Sequence, residues 1–207
     1  MLALWAVTSE NAIAAEASAK HPAEFAGEHV SVDVRFAAQW IFDNGDNQKM
    51  PFVIVDKKSA RLFVFGSDSQ LQGATAVLLG LGLGDHSVAD ISQREPASLR
   101  PNERTTPAGR FVSEPGHNLQ GDDIVWVDYS AKIAIHRLRN DAAGERRAQR
   151  LASTTSDDNR ISLGCIVVPV SFYDTVVKPL FSKRYGVVYV LPEKRSVQSM
   201  FIALNLG

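Results

Sequence analysis

The sequence predicts a mainly β domain with peripheral helices (α+β), in which short strands form a mostly antiparallel sheet or barrel. Three observations lead to this prediction. Short runs of β-branched and aromatic residues alternate with polar turn segments along most of the chain. Helical spacing of apolar residues is confined to a few segments. With 207 residues, of which 45% are hydrophobic, the chain can bury one substantial core.

The N-terminal region divides into two parts. Residues 1–28 are interpreted as a signal-peptide remnant or a flexible N-terminus, because a short apolar run precedes small residues suited to cleavage, although no basic region comes first. The alternative is a frayed amphipathic terminus. Residues 29–50 are predicted to contain a helix that packs on the domain and ends at Asp43-Asn44-Gly45. Its apolar face would consist of Val30, Val34, Ala37, Ala38 and Ile41.

The main domain is expected to span residues 51–192 and to begin with a β-hairpin. Residues 52–55 and 61–65 are rich in β-branched and aromatic residues, and a polar stretch joins them. Further strands are predicted at residues 74–79, 110–113, 124–127, 132–136, 165–168 and 187–191.

Two further helices are predicted in the C-terminal third. Ser171 with Asp174 three positions later is typical of a helix N-terminus, and this helix should end near Lys178, before Pro179. Residues 193–207 should carry a C-terminal helix, whose apolar positions are Val197, Met200, Phe201 and Leu204.

Two long polar segments, residues 85–107 and 137–160, interrupt the strands. Loops of this length in a compact domain are often binding loops or lids. The second segment is dense in arginines interleaved with carboxylates. It is interpreted either as a solvated surface of paired charges or as a substrate-binding surface.

Composition excludes several classes of protein. The 22 Lys and Arg residues nearly balance the 23 Asp and Glu residues, which argues against a nucleic-acid-binding protein. No apolar run is long enough to cross a bilayer. The glycines at 80, 82 and 84 lack dinucleotide-binding spacing, and no serine transpeptidase motif is present. One cysteine and five histidines without zinc-ligand spacing predict no metal site and no cofactor.

The strongest local signal for chemistry surrounds the single cysteine, Cys165. A glycine precedes it and a strand-like apolar run follows it, so the thiol should lie where a loop becomes a strand. Gly164 would let the backbone approach a substrate carbonyl, so that amide N–H groups near Cys165 could face an oxyanion. The alternative interpretation is a small buried hydrophobic residue.

A nucleophilic cysteine generally needs a nearby imidazole, because a free thiol is only slightly ionised at neutral pH. His136 is the best candidate, since it ends a predicted strand and should lie at the mouth of the next loop. Ser162 or a backbone carbonyl would hold its tautomer. The other histidines, His21, His29, His86 and His117, are interpreted as surface residues.

Three motifs occur in an order that is typical of a known family: Thr105-Thr106-Pro107-Ala108-Gly109-Arg110-Phe111, Ile135-His136, and Ser162-Leu163-Gly164-Cys165. With them the chain resembles the catalytic domain of the L,D-transpeptidases, the YkuD-like fold, and is similar to a divergent proteobacterial branch of that family. The resemblance covers residues 52–192. It implies a curved sheet or sandwich, a cysteine acyl-enzyme and peptidoglycan stem peptides as substrate.

Carried over to this chain, the resemblance implies that Cys165 is the nucleophile and His136 the general base. The backbone of Gly164 and Cys165 would contribute to the oxyanion site, and Ser162 would support it. The chain departs from the family at Leu163, where His or Arg is usual, and at Val167, where Arg or Asn is usual. Because these positions commonly shape the pocket, the departures imply an altered substrate register or altered cross-linking.

Four more residues are candidates for substrate binding. Arg137 and Arg104 would hold carboxylates of a stem peptide, since guanidinium groups bind carboxylates in a fixed orientation. Trp126 and Tyr129 would form an aromatic wall of the cleft or, alternatively, part of the core.

Together, the residues and this resemblance imply a periplasmic, monomeric L,D-transpeptidase that cross-links the cell wall. Within enzymes, the alternative is a hydrolase on the same scaffold, which uses water in place of an acceptor amine. Outside enzymes, the alternative is a catalytically silent wall-binding module, which the changes at Leu163 and Val167 would favour.

Overall fold

The computed structural model describes residues 25–139 and 143–205. Residues 1–24, which carry most of the segment interpreted as a signal-peptide remnant, lie outside the described residues. Within the described part of the chain, no helix combines the length and the apolar character needed to cross a membrane.

The chain is mainly β, and its described residues form eight strands in one sheet and two in a smaller one. The order in the large sheet is β3-β2-β1-β10-β5-β6-β7-β9, and β4 pairs with β8. The strands are β1 (Phe52–Asp56), β2 (Arg61–Phe65), β3 (Leu71–Ala76), β4 (Leu79–Gly80), β5 (Gly109–His117), β6 (Asp123–Asp128), β7 (Ile133–Arg137), β8 (Arg160–Ser162), β9 (Ile166–Val168) and β10 (Gly186–Val190).

Antiparallel pairing dominates the large sheet, as predicted, but two pairs differ. β1 pairs with β10 and β7 pairs with β9 in parallel. Two parallel strands cannot be joined by a tight turn, so the chain between them must cross over. The long polar segment of residues 137–160 lies in the crossover from β7 to β9, which accounts for part of its length.

The large sheet curls until its two edges nearly meet, which confirms the predicted curved sheet. Leu78, two residues after β3, exchanges backbone hydrogen bonds of 2.9 Å with Val167 in β9. These bonds join the first and last strands of the sheet order and leave little open edge.

The core lies on both faces of the central strands. Inside the curve, side chains from β1, β2, β6, β7, β9 and β10 pack against Tyr173, Val177 and Phe181. Outside it, the alternate residues of β1, β2 and β10 pack against the two terminal helices. Strands buried on both faces have continuous apolar sequences, as β1 and β10 do.

Both predicted terminal helices are present. α1 (Val32–Asn44) begins after Ser31, whose hydroxyl accepts a hydrogen bond from the Val34 N–H, and ends at Gly45 in the left-handed conformation. Its buried residues are Val34, Ala37, Ala38 and Ile41. α5 (Val197–Asn205) packs against it with Met200 and Phe201. A further short helix, α2 (Arg147–Leu151), lies in the crossover.

The helix after β9 differs from the prediction at both ends. It consists of α3 (Val170–Phe172), a π-helical turn (Tyr173–Val177) and α4 (Lys178–Phe181). Pro169, not Ser171, precedes its first turn. The helix continues through Pro179, because the wider π-turn leaves room for a proline ring that would clash with an ordinary preceding turn.

Candidate active site

The parallel pair β7 and β9 brings His136 and Cys165 to one face of the sheet. Ile135 is level with Ile166, and His136 with Val167. Continuing this register places Cys165 beside Ala134, two positions from His136. Side chains alternate between faces along each strand, and the inward positions are occupied by Ile133, Ile135, Ile166 and Val168. His136 and Cys165 therefore share the opposite face, with their Cα atoms roughly 8 Å apart by strand geometry.

An open groove with a volume of about 900 Å³ runs over this face. Cys165 and His136, both half-buried, line it, as do Trp126, Tyr129 and Leu163. The remaining lining residues are Ser92, His117, Asn118, Leu119, Gln120, Ile124, Ser130, Lys132, Ala134 and Arg139.

Hydrogen bonds hold the turn that carries Cys165. The Ser162 hydroxyl donates to the Cys165 carbonyl at 2.6 Å and accepts from the Gly164 N–H at 3.1 Å. The Gly164 carbonyl accepts from the buried Thr106 hydroxyl at 2.8 Å. Ser162 therefore supports the shape of the turn, and its hydrogen is not available to orient an imidazole. The Gly164 N–H is also engaged, which argues against its predicted part in an oxyanion site in this conformation.

Gly164 has a reason to be glycine that differs from the predicted one. Its φ is +133°, and a Cβ there would lie 2.8 Å from the Thr105 carbonyl oxygen and 2.6 Å from Ile133 Cδ1. The glycine therefore permits close packing of the turn on its neighbours as well as an unusual backbone conformation.

The orientation of His136 follows from its hydrogen bond to the main chain. His136 Nδ1 lies 2.8 Å from the carbonyl oxygen of Arg137. A carbonyl oxygen can only accept, so Nδ1 carries the hydrogen and Nε2 is the basic nitrogen. Of the two orienting groups considered from the sequence, the structure supplies the backbone carbonyl.

Burial raises the pKa of the Cys165 thiol above its ordinary value. The Ala134 N–H and the charge of Arg147 act in the opposite direction but do not outweigh burial. The thiol itself donates to the Lys132 carbonyl at 3.6 Å. The resting thiol is therefore protonated at neutral pH, and attack by sulfur requires a base.

The aromatic residues form one side of the groove. Trp126 in β6 is level with Ala134, and its ring meets that of Tyr129 edge to face at a centroid distance of 5.1 Å. Tyr129 is 74% exposed and Leu163 is 41% exposed. The structure thus favours the cleft-wall interpretation of the two aromatic residues over the core interpretation.

The two predicted carboxylate-binding arginines are absent from the described lining of the groove. Arg137 follows His136 and points to the other face, where it pairs with Asp123 and Asp174 and lies over the Tyr173 ring. Arg104 donates to the Leu99 carbonyl. This placement argues against direct substrate contacts from either residue.

Several lining residues were missed in the sequence, among them Lys132 and the β5–β6 turn from His117 to Gln120. His117 is the last residue of β5 and His136 the last but one of β7, and this shared position near a strand end could have indicated His117. The described lining holds the cations Lys132 and Arg139 with two histidines and no carboxylate. The groove therefore suits an anionic ligand.

Val167, the second departure from the family motif, is buried away from the groove with Leu78 and Leu151. Among the residues that the structure describes, no three His, Cys, Asp or Glu side chains form a cluster that could hold a metal ion.

The structure has distant likenesses among solved structures. The chain is similar to a crystal structure of the L,D-transpeptidase from Xylanimonas cellulosilytica DSM 15894, with 16% sequence identity and a TM-score of 0.42. The match covers 73% of this chain and 68% of that chain. No model of a protein family matches the sequence, and no curated protein matches it.

Proposed function

We propose that this protein is a cysteine-dependent peptidoglycan L,D-transpeptidase. The observation that carries the proposal is that the only thiol of the chain and the His136 imidazole line one open groove from neighbouring strands. The three ordered sequence motifs support the choice of family. The cationic lining supports a stem peptide as substrate, because stem peptides bear carboxylates.

In the proposed reaction, His136 Nε2 takes the thiol proton as Cys165 Sγ attacks an amide carbonyl of the donor peptide. The C–N bond then breaks, the leaving amine takes the proton from the imidazolium, and a thioester remains on Cys165. An amine of a second stem peptide attacks the thioester, loses a proton to His136 and forms a new amide. The sulfur leaves as thiolate and regains the proton.

Other residues of the groove would contact different parts of the substrate. Trp126 and Tyr129 would contact the donor along the groove wall, and Leu163 would lie beside the reacting carbonyl. Lys132 and Arg139 would attract the donor carboxylates. The substrate implies a periplasmic location, and the groove as described needs no second subunit, so we propose that a monomer acts.

To test this function, purified cell walls are incubated with the protein and then digested. The products are resolved by mass spectrometry. New cross-linked dimers are expected with the wild type and none with Cys165→Ala or His136→Ala. Shortened stems without dimers would indicate a hydrolase instead. Labelling with a carbapenem is a second test. A catalytically silent wall-binding module would give no adduct on Cys165. Dimers formed by Cys165→Ala would overturn the proposal.

A further inference from the structure

Arg137, the last residue of β7, binds the neighbouring strand through its side chain at the point where strand pairing stops. Among the described residues, the pairing of β7 with β6 reaches Val125 and Ile135 and goes no further. Continuing this register places Asp123 opposite Arg137. There the Arg137 guanidinium donates to the main-chain carbonyl of Asp123 at 3.0 Å and lies 3.1 Å from its carboxylate. A side chain therefore holds the end of β7 against β6 beyond the last strand pair.

A second carboxylate holds the same guanidinium from the helix that follows β9. Arg137 Nε donates to Asp174 at 2.8 Å, and the guanidinium carbon lies 4.1 Å from the centre of the Tyr173 ring. Both partners belong to the π-helical turn, which thus presents an acid and an aromatic face to one cation. Tyr173 is fully buried, and the Arg137 side chain is only 20% exposed. We call Asp123, Asp174 and Tyr173 the Arg137 clamp.

The main chain of Arg137 contacts the proposed base directly. Its carbonyl oxygen lies 2.8 Å from His136 Nδ1. The same peptide group contains the Leu138 N–H, which donates to the Val168 carbonyl in β9 at 2.7 Å. This peptide is therefore held at one end by β9 and at the other by the clamped side chain of Arg137. A peptide held at both ends presents its carbonyl in one direction.

The direction of this carbonyl determines which ring nitrogen of His136 can act as a base. While the carbonyl accepts the Nδ1 hydrogen, Nε2 has no hydrogen and can take a proton. If the peptide turned away, the hydrogen could move to Nε2, which could then no longer accept the thiol proton. In a catalytic triad, the wrong tautomer of the base removes most of the activity even when the geometry is intact.

We propose that Arg137 is a positioning residue whose clamped side chain fixes the peptide that sets the orientation and tautomer of His136. This inference rests on the proposed function, in which His136 Nε2 takes the thiol proton. The clamp lies on the face of the sheet opposite the groove, and Arg137 is absent from the described lining of the groove. A substrate bound in the groove would therefore leave the clamp intact.

Nitrogen-15 NMR of the His136 ring tests this inference, with His136→Gln used to assign its signals. At a pH where the imidazole is neutral, the wild type should carry the hydrogen on Nδ1. Arg137→Gln should increase the fraction with the hydrogen on Nε2 and slow acylation of Cys165 by a carbapenem roughly three- to tenfold, as expected for a weakened hydrogen bond. Arg137→Lys keeps the charge but lacks the planar fork, so it should give an intermediate result.

Two further variants test the clamp itself. Asp174→Ala removes a carboxylate that is 45% exposed, and it should shift the His136 tautomer in the same direction even if Arg137→Gln does not fold. Lys178→Gln is the matched control. Lys178 Nζ lies 3.7 Å from the Asp123 carboxylate, so this change removes a charge from the same cluster while keeping the contacts of Arg137 described above. It should leave the tautomer as in the wild type.

The outcomes separate this inference from the proposed function. A tautomer that stays unchanged in Arg137→Gln and Asp174→Ala, or that changes equally in Lys178→Gln, would overturn the role of Arg137 even if the wall assay shows dimers. Slower acylation without a change of tautomer would also overturn it. Conversely, the expected change of tautomer without any dimers would uphold the positioning role and reject transpeptidation. Circular dichroism of each variant excludes unfolding as the cause.

Discussion

At the scale of single residues, the hydroxyl of Thr106 holds two parts of the site together. It donates to the Gly164 carbonyl at 2.8 Å and accepts from the Gly80 N–H at 2.9 Å. Thr106 is buried, so water cannot replace these bonds. One side chain therefore joins β4 to the turn that carries Cys165.

Replacing Thr106 by valine keeps the shape but removes the hydroxyl, and leaves two buried main-chain groups without a partner. We expect a loss of about 1–3 kcal/mol in the free energy of unfolding and slower alkylation of Cys165. Urea denaturation and iodoacetamide kinetics measure these effects. Thr106→Ser keeps the hydroxyl and should stay close to wild type. Equal stability of the valine and serine variants would contradict the bridging role.

Gly164 permits a second prediction at this scale. A methyl group there would meet the Thr105 carbonyl and force a positive φ on a residue with a side chain. Gly164→Ala should destabilise the fold by roughly 1–3 kcal/mol and reduce the rate of Cys165 alkylation. Gly144→Ala is the matched control, because a Cβ at Gly144 meets nothing within 4 Å. If both variants behave like wild type, the turn is not under this constraint.

The sequence predicted that Cys165 and His136 lie close together, and the structure brings both to one groove from neighbouring strands. Strand alternation and the glycine before Cys165 are local signals, so this placement could be predicted. The sequence did not identify the partners of long side chains. Arg137 was predicted to bind substrate, but it binds Asp123 and Asp174, which lie 14 and 37 residues away. Such pairing depends on which strands are neighbours, and no local pattern reveals this. The roles of the site residues remain predictions.

At the scale of elements, the crossover from β7 to β9 determines how His136 and Cys165 are placed in the groove. The sequence predicted both strands and the long segment between them, but not that the strands pair in parallel. Parallel pairing puts the ends of both strands at one edge and requires the long connection that carries α2. The sequence also left open whether this segment was a solvated surface, and Leu151 shows that part of it is packed.

Leu151→Ala tests whether the docking of α2 matters to the site. Truncating this buried side chain should lower the free energy of unfolding by about 2–3 kcal/mol. Because Leu151 packs against Val167, two residues after Cys165, the alkylation of Cys165 should also slow when the strand that positions the thiol loses this contact. Leu83→Ala, at a leucine that is 59% exposed, serves as the control. A stability loss with an unchanged alkylation rate would show that the position of Cys165 does not depend on this contact.

At the scale of the whole molecule, a buried ion network joins distant parts of the chain. Lys57, directly after β1, is fully buried and donates to Asp85 at 3.0 Å and to the Thr106 carbonyl at 3.0 Å. Glu193, after β10, lies 3.6 Å from Lys57 and also binds Arg160 at the start of β8. The network thus links the first hairpin, the motif that contains Thr106 and the strand that leads to Cys165.

Asp85 is also the anchor of the C-terminal segment. Its carboxylate accepts hydrogen bonds from the main-chain N–H groups of Glu193, Lys194 and Arg195, immediately before α5. The sequence placed Asp85 at the start of a long polar segment and gave no sign of this role. Its partners are 28 residues away at Lys57 and more than 100 residues away near α5, so only the closed sheet brings them together.

The pKa of Asp85 is lowered from its ordinary value. Burial acts to raise it, but the Glu193 N–H and the Lys57 ammonium together outweigh burial. A carboxylate with a lowered folded-state pKa stabilises the protein above its unfolded-state pKa, here 3.8, and this contribution is lost as the pH falls through the folded value. The free energy of unfolding should therefore depend on the charge of Asp85 at neutral pH, and it should depend on that charge less in acid.

Asp85→Asn should consequently lower the free energy of unfolding at pH 7 by about 3 kcal/mol, because it leaves the Lys57 ammonium buried with less compensation. Urea denaturation should show that the difference in unfolding free energy between this variant and wild type narrows below pH 3.8. There Asp85 becomes protonated in the unfolded chain while the folded carboxylate keeps its charge, and the difference narrows further as the pH falls through the lowered folded-state pKa. Asp157→Asn, at an exposed carboxylate, should match wild type at both pH values. A gap that stays constant with pH would mean that Asp85 acts through shape and hydrogen bonds alone, and that its charge does not hold the network together.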